Sequence, residues 1–488
     1  MISDLVFTSP EAQGVRSEDI LTFIRFVEEN KINLHSFLFA KGGNIIAEGY
    51  FPPFDENFLH RLYSSSKTYV ALAVGMLVTE GKLRVEDRVL DFFPEYDTDE
   101  VSDEMRECTL EDALMMATVT YAVKPHERPE KSNNPYAYRA QKPAGTIFNY
   151  GDGNGIATAI VERVSGMYLT DYLRPLFNKL GVGEGVWCVK DLDGTAWGGS
   201  GMISTLRDFA KVAEFVGNKG CHMGEQLIDR DYMERMTSRR IATVSMNSYS
   251  PLTSYGYGYQ TWITPDAICM RGMGAQEAFY FQKSDLLFVC TGDTMCDTDF
   301  SDVRLYDAVK YLVLEHIEPA PLAEGDAYVR LGEKLSSLRM PRYGEAHSPT
   351  EREVSGVRYA LGENGMGWSG VDISFDGEAG VIRYTNARGE KEIAFSLGEY
   401  KRTTFPETHY YDKQRGVPSE RELDCLAIGE WIEERKLLLR VYITDVSFGS
   451  IFAVISFCKD RIALQLKKRG EFLLDDYGGT AYGSRAEN

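Results

Sequence analysis

The pattern of this chain changes once, near Glu318-Pro319-Ala320-Pro321, and that break governs what it can fold into. Upstream, helix-like and strand-like segments alternate. Phe37-Leu38-Phe39-Ala40 and Asn44-Ile45-Ile46-Ala47 flank Lys41-Gly42-Gly43 and read as a hairpin turning at the glycines. From Lys67 to Leu83, Val70, Val74 and Leu77 recur at helical spacing, and Gly81 stands where a helix stop belongs. Another helix opens at Ser204-Thr205-Leu206-Arg207-Asp208, and Phe279–Phe281 and Leu286–Cys290 read as two short strands joined by Lys283-Ser284-Asp285. Downstream of the break a short helical stretch runs through Leu338 and stops at Met340-Pro341. From about residue 351 the pattern is strand, turn, strand: Val381–Tyr384, Ile393–Ser396, Leu437–Ile443 and Ile462–Leu466. The expected organisation is one domain over 1–320, a linker with a short helix over 321–350, and an all-β barrel or sandwich over 351–488.

Hydrophobic residues make up 43% and charged residues 26%, so a sizeable core is available. A net charge of −20 without a Lys/Arg cluster disfavours nucleic acid and anionic membrane surfaces as partners. The opening MISDLVFTSPEAQGV has neither a basic n-region nor an apolar h-region, and no apolar run approaches the ~20 residues of a membrane span. A cytoplasmic location is the expectation. Eight scattered cysteines without a CxxC pair read as reduced and mostly buried. Seven histidines without HxH or HExxH, and the lack of GxGxxG or P-loop stretches, lead to the expectation of no metal and no cofactor.

Ser64-Ser65-Ser66-Lys67 fits S-x-x-K, a signature of serine acyl enzymes. On a helix, residues i and i+3 share a face, so Lys67 reaches the Ser64 hydroxyl. A helix N-terminus beside Ser64 would also stabilise negative charge on a substrate oxygen. The motif alone is weak: Ser456-Phe457-Cys458-Lys459 fits too, but in a strand-like run where i and i+3 face opposite ways. For an isolated match the ordinary reading is a capping serine beside a solvated lysine. A second element is Pro143-Ala144-Gly145-Thr146-Ile147-Phe148-Asn149-Tyr150-Gly151-Asp152, a glycine-bounded loop before a new helix. Beside a protonated Lys67, the Tyr150 phenolate would be favoured and could take the Ser64 proton. The ordinary reading, an aromatic anchoring a turn, is the commoner fate of one of 28 tyrosines.

Together these residues resemble the superfamily of class C β-lactamases, DD-peptidases and esterases. Ser64-x-x-Lys67 is similar to its first motif and Tyr150-Gly151-Asp152 to its second. Ser9-Pro10-Glu11-Ala12-Gln13-Gly14, Glu80-Gly81-Lys82-Leu83 through Phe93-Pro94-Glu95, Gly198-Gly199-Ser200-Gly201-Met202 and Tyr255-Gly256-Tyr257-Gly258 resemble its landmarks, over roughly residues 1–315. The third motif departs from the family's K-T-G or H-x-G. The candidate is Arg271-Gly272-Met273-Gly274-Ala275-Gln276, similar to the G-x-G-G-Q variant of esterase-like members. It would add the backbone N–H of Ala275 or Gln276 to that of Ser64 as an oxyanion hole. The missing cation weakens the case for a carboxylate-bearing substrate; Arg271 could supply that charge if its side chain faced the site. Ser132-Asn133-Asn134 fits S-x-N but ranks behind Tyr150, and Lys41-Gly42-Gly43 is better explained as a turn.

The resemblance implies an α+β fold: a β-lactamase/transpeptidase-like domain with an antiparallel sheet flanked by helices and an inserted helical subdomain, here followed by an all-β C-terminal domain. The implied catalytic residues are Ser64, Lys67 and Tyr150, with Asp152, Gly274, Ala275 and Gln276 at the substrate or oxyanion. The expected activity is acyl-enzyme hydrolysis of a small amide, ester or peptide, one with D-residues among the options. The alternatives are a true β-lactamase or DD-peptidase, and a non-catalytic binding or scaffold protein that kept the fold. Neither the oligomeric state nor the role of the β domain is legible.

Overall fold

The structure is a computed structural model and describes residues 6–119, 134–137, 140–151, 153–191, 193–244, 251–296, 301–410, 421–446, 448–470 and 474–486. The N-terminal part is built on a seven-stranded antiparallel sheet. Its order is Asn44–Tyr50, Leu34–Lys41, Leu286–Gly292, Gln276–Phe281, Ile268–Gly272, Trp262–Ile263 and Gly256–Tyr257. Chain-distant strands therefore meet at the centre, where Leu34–Lys41 pairs with Leu286–Gly292. The hairpin expected at Gly42-Gly43 is present, with φ of +59° and +74°, values glycine adopts without penalty.

Both faces of the sheet are covered. Phe23 of the helix Ser17–Glu29 meets Phe39 edge-on at 5.1 Å and Phe288 at 5.4 Å, in a core shared with Val309 of the helix Ser301–Leu312. On the other face the helix Leu206–Gly217 packs through Phe209, Val212 and Val216. Its start is capped by the Thr205 side chain, which accepts from the Asp208 amide. Ser66–Thr79 runs through the centre of this second core. Residues from all round it, Tyr69, Val70, Leu72, Val74 and Leu77 among them, are buried, so helices surround it as well as the sheet. Those include Leu110–Leu114, Gly153–Ser165 and Leu169–Lys179, the helical part expected between Lys67 and the third motif. Gly81, with φ of +68°, follows the end of Ser66–Thr79.

The stretch after the Pro319 break contains the helix Asp326–Ser336, which packs onto Ser17–Glu29 through Leu331 and the pairs Arg330–Glu18 and Lys334–Glu28, both 2.6 Å. The C-terminal region forms a β-rich, barrel-like domain of ten strands from Tyr359–Leu361 to Gly479–Arg485. The barrel option, not the sandwich, is the one observed. The strand Gly389–Leu397, at one end of the order, pairs in parallel with Leu423–Glu433 near the other end, through Ser396 with Ile428 and Leu397 with Gly429. Its wall is seated on the N-terminal part. Leu426 and Tyr442 enter the core around Phe23, and the buried Ser450 hydroxyl donates to Asp293 Oδ2 at 2.6 Å. Among the described residues no helix is long and apolar enough to cross a membrane.

Candidate active site

The strand His60–Arg61 pairs with Met202–Ser204, and the Leu62 amide extends that pairing to the Met202 carbonyl at 2.7 Å. The chain then turns sharply: Tyr63 has φ of +47°, unusual for a residue with a β-carbon, and begins a single 3-10 turn, Tyr63–Ser65. The helix Ser66–Thr79 follows at once. The three consecutive serines on this bend diverge. The Ser65 hydroxyl donates to the Gln276 carbonyl at 2.7 Å, and the Ser66 hydroxyl accepts from the Met202 amide at 3.0 Å. These two tie the start of the helix to separate strands and leave Ser64 on the wall of a cavity.

Lys67, one turn along, reaches back to Ser64. Its Nζ donates to Ser64 Oγ at 2.9 Å and to the Gly199 carbonyl at 2.6 Å, although the residue is only 8% exposed. The Lys67 Nζ also lies over the ring of Tyr150, 4.8 Å from its centroid. That ring is held by other aromatics: it stacks on Trp262 at 5.5 Å and meets Tyr257 edge-on at 6.4 Å. Burial, with the Tyr150 phenol nearby, pushes the Tyr257 phenol well above its ordinary range, so Tyr257 stays neutral. Lys67 Nζ thus meets both the nearby Ser64 hydroxyl and the ring of Tyr150, which is distant in sequence.

The cavity holds about 680 Å³. Phe93, Tyr96 and Tyr136 form an aromatic wall, with Phe93 stacked on Tyr136 at 5.2 Å. Groups from two further elements line it: Asn154 and Thr158 from the helix Gly153–Ser165, and Asp191, Asp193 and Trp197–Ser200 from the loop before Met202. Among the described residues lining it, the charged side chains are Lys67, Asp191 and Asp193. Asp193 Oδ1 accepts from the Thr195 amide and hydroxyl. No group of three or more His, Cys, Asp or Glu side chains among the described residues is arranged to hold a metal ion.

The third-motif candidates occupy a hairpin turn of the sheet. The strand Ile268–Gly272 ends at Gly272, and Met273-Gly274-Ala275 make a three-residue hairpin turn with φ of +81° at Gly274 and +68° at Ala275. Gln276 opens the return strand. Its side chain is fully buried, and Nε2 donates to the Gly274 carbonyl at 3.0 Å and to the Gly292 carbonyl at 2.6 Å. The turn touches the segment carrying Ser64 from the sheet. Gln276 accepts from Ser65, and a β-carbon at Gly272 would fall 2.1 Å from the Leu62 carbonyl oxygen. None of Gly274, Ala275 and Gln276 is among the described residues lining the cavity. Arg271 faces its cross-strand neighbour Glu277, with Nε 3.2 Å from the carboxylate, so its charge is already answered within the sheet. Burial raises the Glu277 carboxyl above its usual range, opposed by Arg271.

Asp152 lies outside the described residues, as do Ser132 and Asn133. Asn134 holds the Tyr96 loop, donating to the Tyr96 carbonyl at 2.7 Å. Ser456 sits in the strand Phe448–Cys458, as the strand-like reading of that second S-x-x-K required. Sequence reasoning missed the Gly199 carbonyl and the division of labour among Ser64, Ser65 and Ser66. A run of three small hydroxyls at a helix start is a signal that more than one is needed there.

With this geometry in view, comparisons with known proteins decide the family. The Beta-lactamase family model matches residues 22–291, more than half of the chain. The chain belongs to the beta-lactamase family of hydrolases. This family member is 25% identical over 258 residues to the 6-aminohexanoate-dimer hydrolase of Paenarthrobacter ureafaciens, an alignment covering 47% of this chain and 64% of that one. It therefore spans under two thirds of that relative's length. Among solved structures it is similar to a family VIII carboxylesterase at 18% identity, covering 63% of this chain and 98% of that one with a TM-score of 0.49. It is also similar to an octameric penicillin-binding protein homologue from Pyrococcus abyssi, at 14% identity, 95% and 99% coverage and a TM-score of 0.46.

Proposed function

We propose that this member of the beta-lactamase family hydrolyses a small amide, ester or peptide through an acyl-enzyme on Ser64. One observation carries the reading: Lys67 Nζ lies 2.9 Å from Ser64 Oγ at the start of a helix, with the Tyr150 ring against the same nitrogen. The Gly199 carbonyl can only accept, so one Lys67 N–H is committed to it. As a neutral amine, Lys67 then has its lone pair for the Ser64 hydroxyl proton; as an ammonium, it stabilises the Tyr150 phenolate as the base. In either state Ser64 Oγ attacks the carbonyl carbon, the proton passes to the amine or phenolate, and the same group returns it to the leaving nitrogen or oxygen. Water then cleaves the acyl-enzyme. The developing oxyanion is assigned to the Ser64 backbone N–H together with that of Ala275 or Gln276 in the hairpin turn.

The cavity favours an amide or ester over a penicillin-like substrate. Asp191 and Asp193 line it, which repels a free carboxylate and suits a positively charged or neutral chain lying along the aromatic wall. Arg271, held by Glu277, does not offset them. Linear amino-amides of the kind named for the Paenarthrobacter ureafaciens relative belong in the first panel. The test is a panel of p-nitrophenyl esters, aminohexanoate dimer, D-residue dipeptides and nitrocefin, run on wild type and Ser64→Ala. Turnover of an ester or amide that disappears in Ser64→Ala supports the reading. Preferred turnover of nitrocefin points to a β-lactamase instead, and no turnover of any member by the folded protein favours a binding role.

A further inference from the structure

Arg61 stands three residues before Ser64 and is 1% exposed, yet it is not among the described residues lining the cavity. Its guanidinium lies between two aromatic rings, 4.5 Å from the Tyr63 centroid and 4.1 Å from that of Trp197. From that position Nε donates to the Ser200 carbonyl at 2.9 Å and Nη2 to the Ser200 hydroxyl at 2.8 Å. Nη1 donates to the Val446 carbonyl, at 3.3 Å, on the connection between two strands of the C-terminal barrel.

Tyr63, Trp197 and Ser200 each adjoin a part of the proposed site. Tyr63 is the strained residue that presents Ser64. Trp197 and Ser200 close a tight turn, with the Ser200 and Gly201 amides donating to the Trp197 carbonyl, and that turn carries Gly199. The Gly199 carbonyl is the 2.6 Å acceptor that aims Lys67 Nζ. One planar group thus spans the nucleophile bend and the turn that orients the lysine. Only a guanidinium combines a fork of donors with two stackable faces; a lysine would keep the charge and lose both.

We propose that Arg61 is a positioning residue for the Ser64–Lys67 pair, acting through the Trp197–Gly201 turn. The inference rests on the reading of Ser64 as the nucleophile. Because Arg61 does not line the cavity, loss of its fork changes the rate of the bound complex more than the binding of a reagent, and a small misplacement of a reacting group costs about a hundredfold.

The test uses the full chain and an alkyl fluorophosphonate, which phosphonylates an activated serine with release of fluoride. Its saturating rate, kinact, and half-saturating concentration, KI, are measured for wild type, Ser64→Ala, Arg61→Gln, Arg61→Lys and Ser200→Ala, with thermal unfolding alongside. The expected result is a kinact about a hundredfold lower in Arg61→Gln, intermediate in Arg61→Lys and lowered less in Ser200→Ala, with KI within about threefold. An Arg61→Gln variant that unfolds normally and is labelled at the wild-type kinact, or one affected in KI alone, overturns the proposal. Where Arg61→Gln fails to fold, Arg61→Lys and Ser200→Ala decide, and wild-type kinact in both overturns it. Labelling that persists in Ser64→Ala overturns the nucleophile reading and this inference with it, whereas its loss there beside unaffected Arg61 variants overturns this inference alone.

Discussion

Lys67 is held more closely by the Gly199 carbonyl, at 2.6 Å, than by the Ser64 hydroxyl, at 2.9 Å. The shorter bond fixes the direction of the amine, and the longer one is where chemistry can occur. A lysine side chain has several rotatable bonds and loses up to about 2 kcal/mol of rotamer entropy when confined. Here the carbonyl and the burial of its stem impose that confinement before any substrate arrives, so Ser64 meets an amine already in place.

Tyr150→Phe keeps the ring stacked on Trp262 and removes only the phenol oxygen. If the phenol shuttles the Ser64 proton, kcat falls by at least about a hundredfold while KM stays within about threefold. Steady-state kinetics on the best member of the ester and amide panel measure it, with the thermal midpoint confirming an unchanged fold.

Two histidines make the protein acid-sensitive. His35 Nδ1 and His60 Nε2 are 3.0 Å apart in the core. Burial, and for His35 the neighbouring His60, holds both below their ordinary value, with His60 at about 3. Unfolded, each takes up a proton near pH 6.5, so the unfolded state binds more protons below that value and stability falls as pH drops. For His60 the loss continues down to about pH 3. Each group contributes a slope of about 1.4 kcal/mol per pH unit. Denaturant unfolding at pH 7 and pH 5 should therefore cost wild type about 2 kcal/mol more than His60→Gln, a difference that cancels the opposing effect of buried carboxyls such as Glu277. Equal losses in the two proteins would contradict this.

Gly272→Ala places a methyl group 2.1 Å from the Leu62 carbonyl oxygen, a backbone atom that cannot swing aside. The strand or the bend that carries Ser64 must move. Overpacking of this kind costs about 1–3 kcal/mol. The expected outcome is a lowered unfolding free energy together with lower kcat, since Leu62 is two residues from Ser64.

Gln276→Leu tests whether that side chain is structural. It removes the side-chain donor to the buried Gly292 carbonyl and leaves the Gly274 carbonyl with the Thr294 amide, 3.3 Å away. Losing a buried carbonyl's donor costs about 1–3 kcal/mol, so the thermal midpoint drops by several degrees. A variant that keeps its midpoint but loses substrate affinity would return Gln276 to the binding site.

The parts that sequence made legible are the local ones. Periodicity around Val70, Val74 and Leu77, the stop at Gly81 and the glycine pair at 42–43 each follow from short-range geometry and appear as expected. The strand runs after residue 351 were equally clear, but barrel closure depends on Ser396 and Leu397 meeting Ile428 and Gly429, and no local pattern encodes that meeting. At the third motif the glycines mark a turn and say nothing of where a neighbouring glutamine points. Ala275 takes a positive φ that sequence assigns to glycine, and the Gln276 amide is drawn inward by carbonyls 2 and 16 residues away. Arg271 was ambiguous because its partner, Glu277, is fixed only by strand register.

The proposed nucleophile is the Ser64 oxygen, 2.9 Å from Lys67 Nζ. Intact-mass measurement after reaction with an alkyl fluorophosphonate, followed by peptide mapping, tests it directly. The expected result is a single phosphonyl adduct on the peptide carrying Ser64, absent from Ser64→Ala and strongly slowed in Lys67→Met. A folded protein that gains no adduct, or gains it on another serine, would contradict the account.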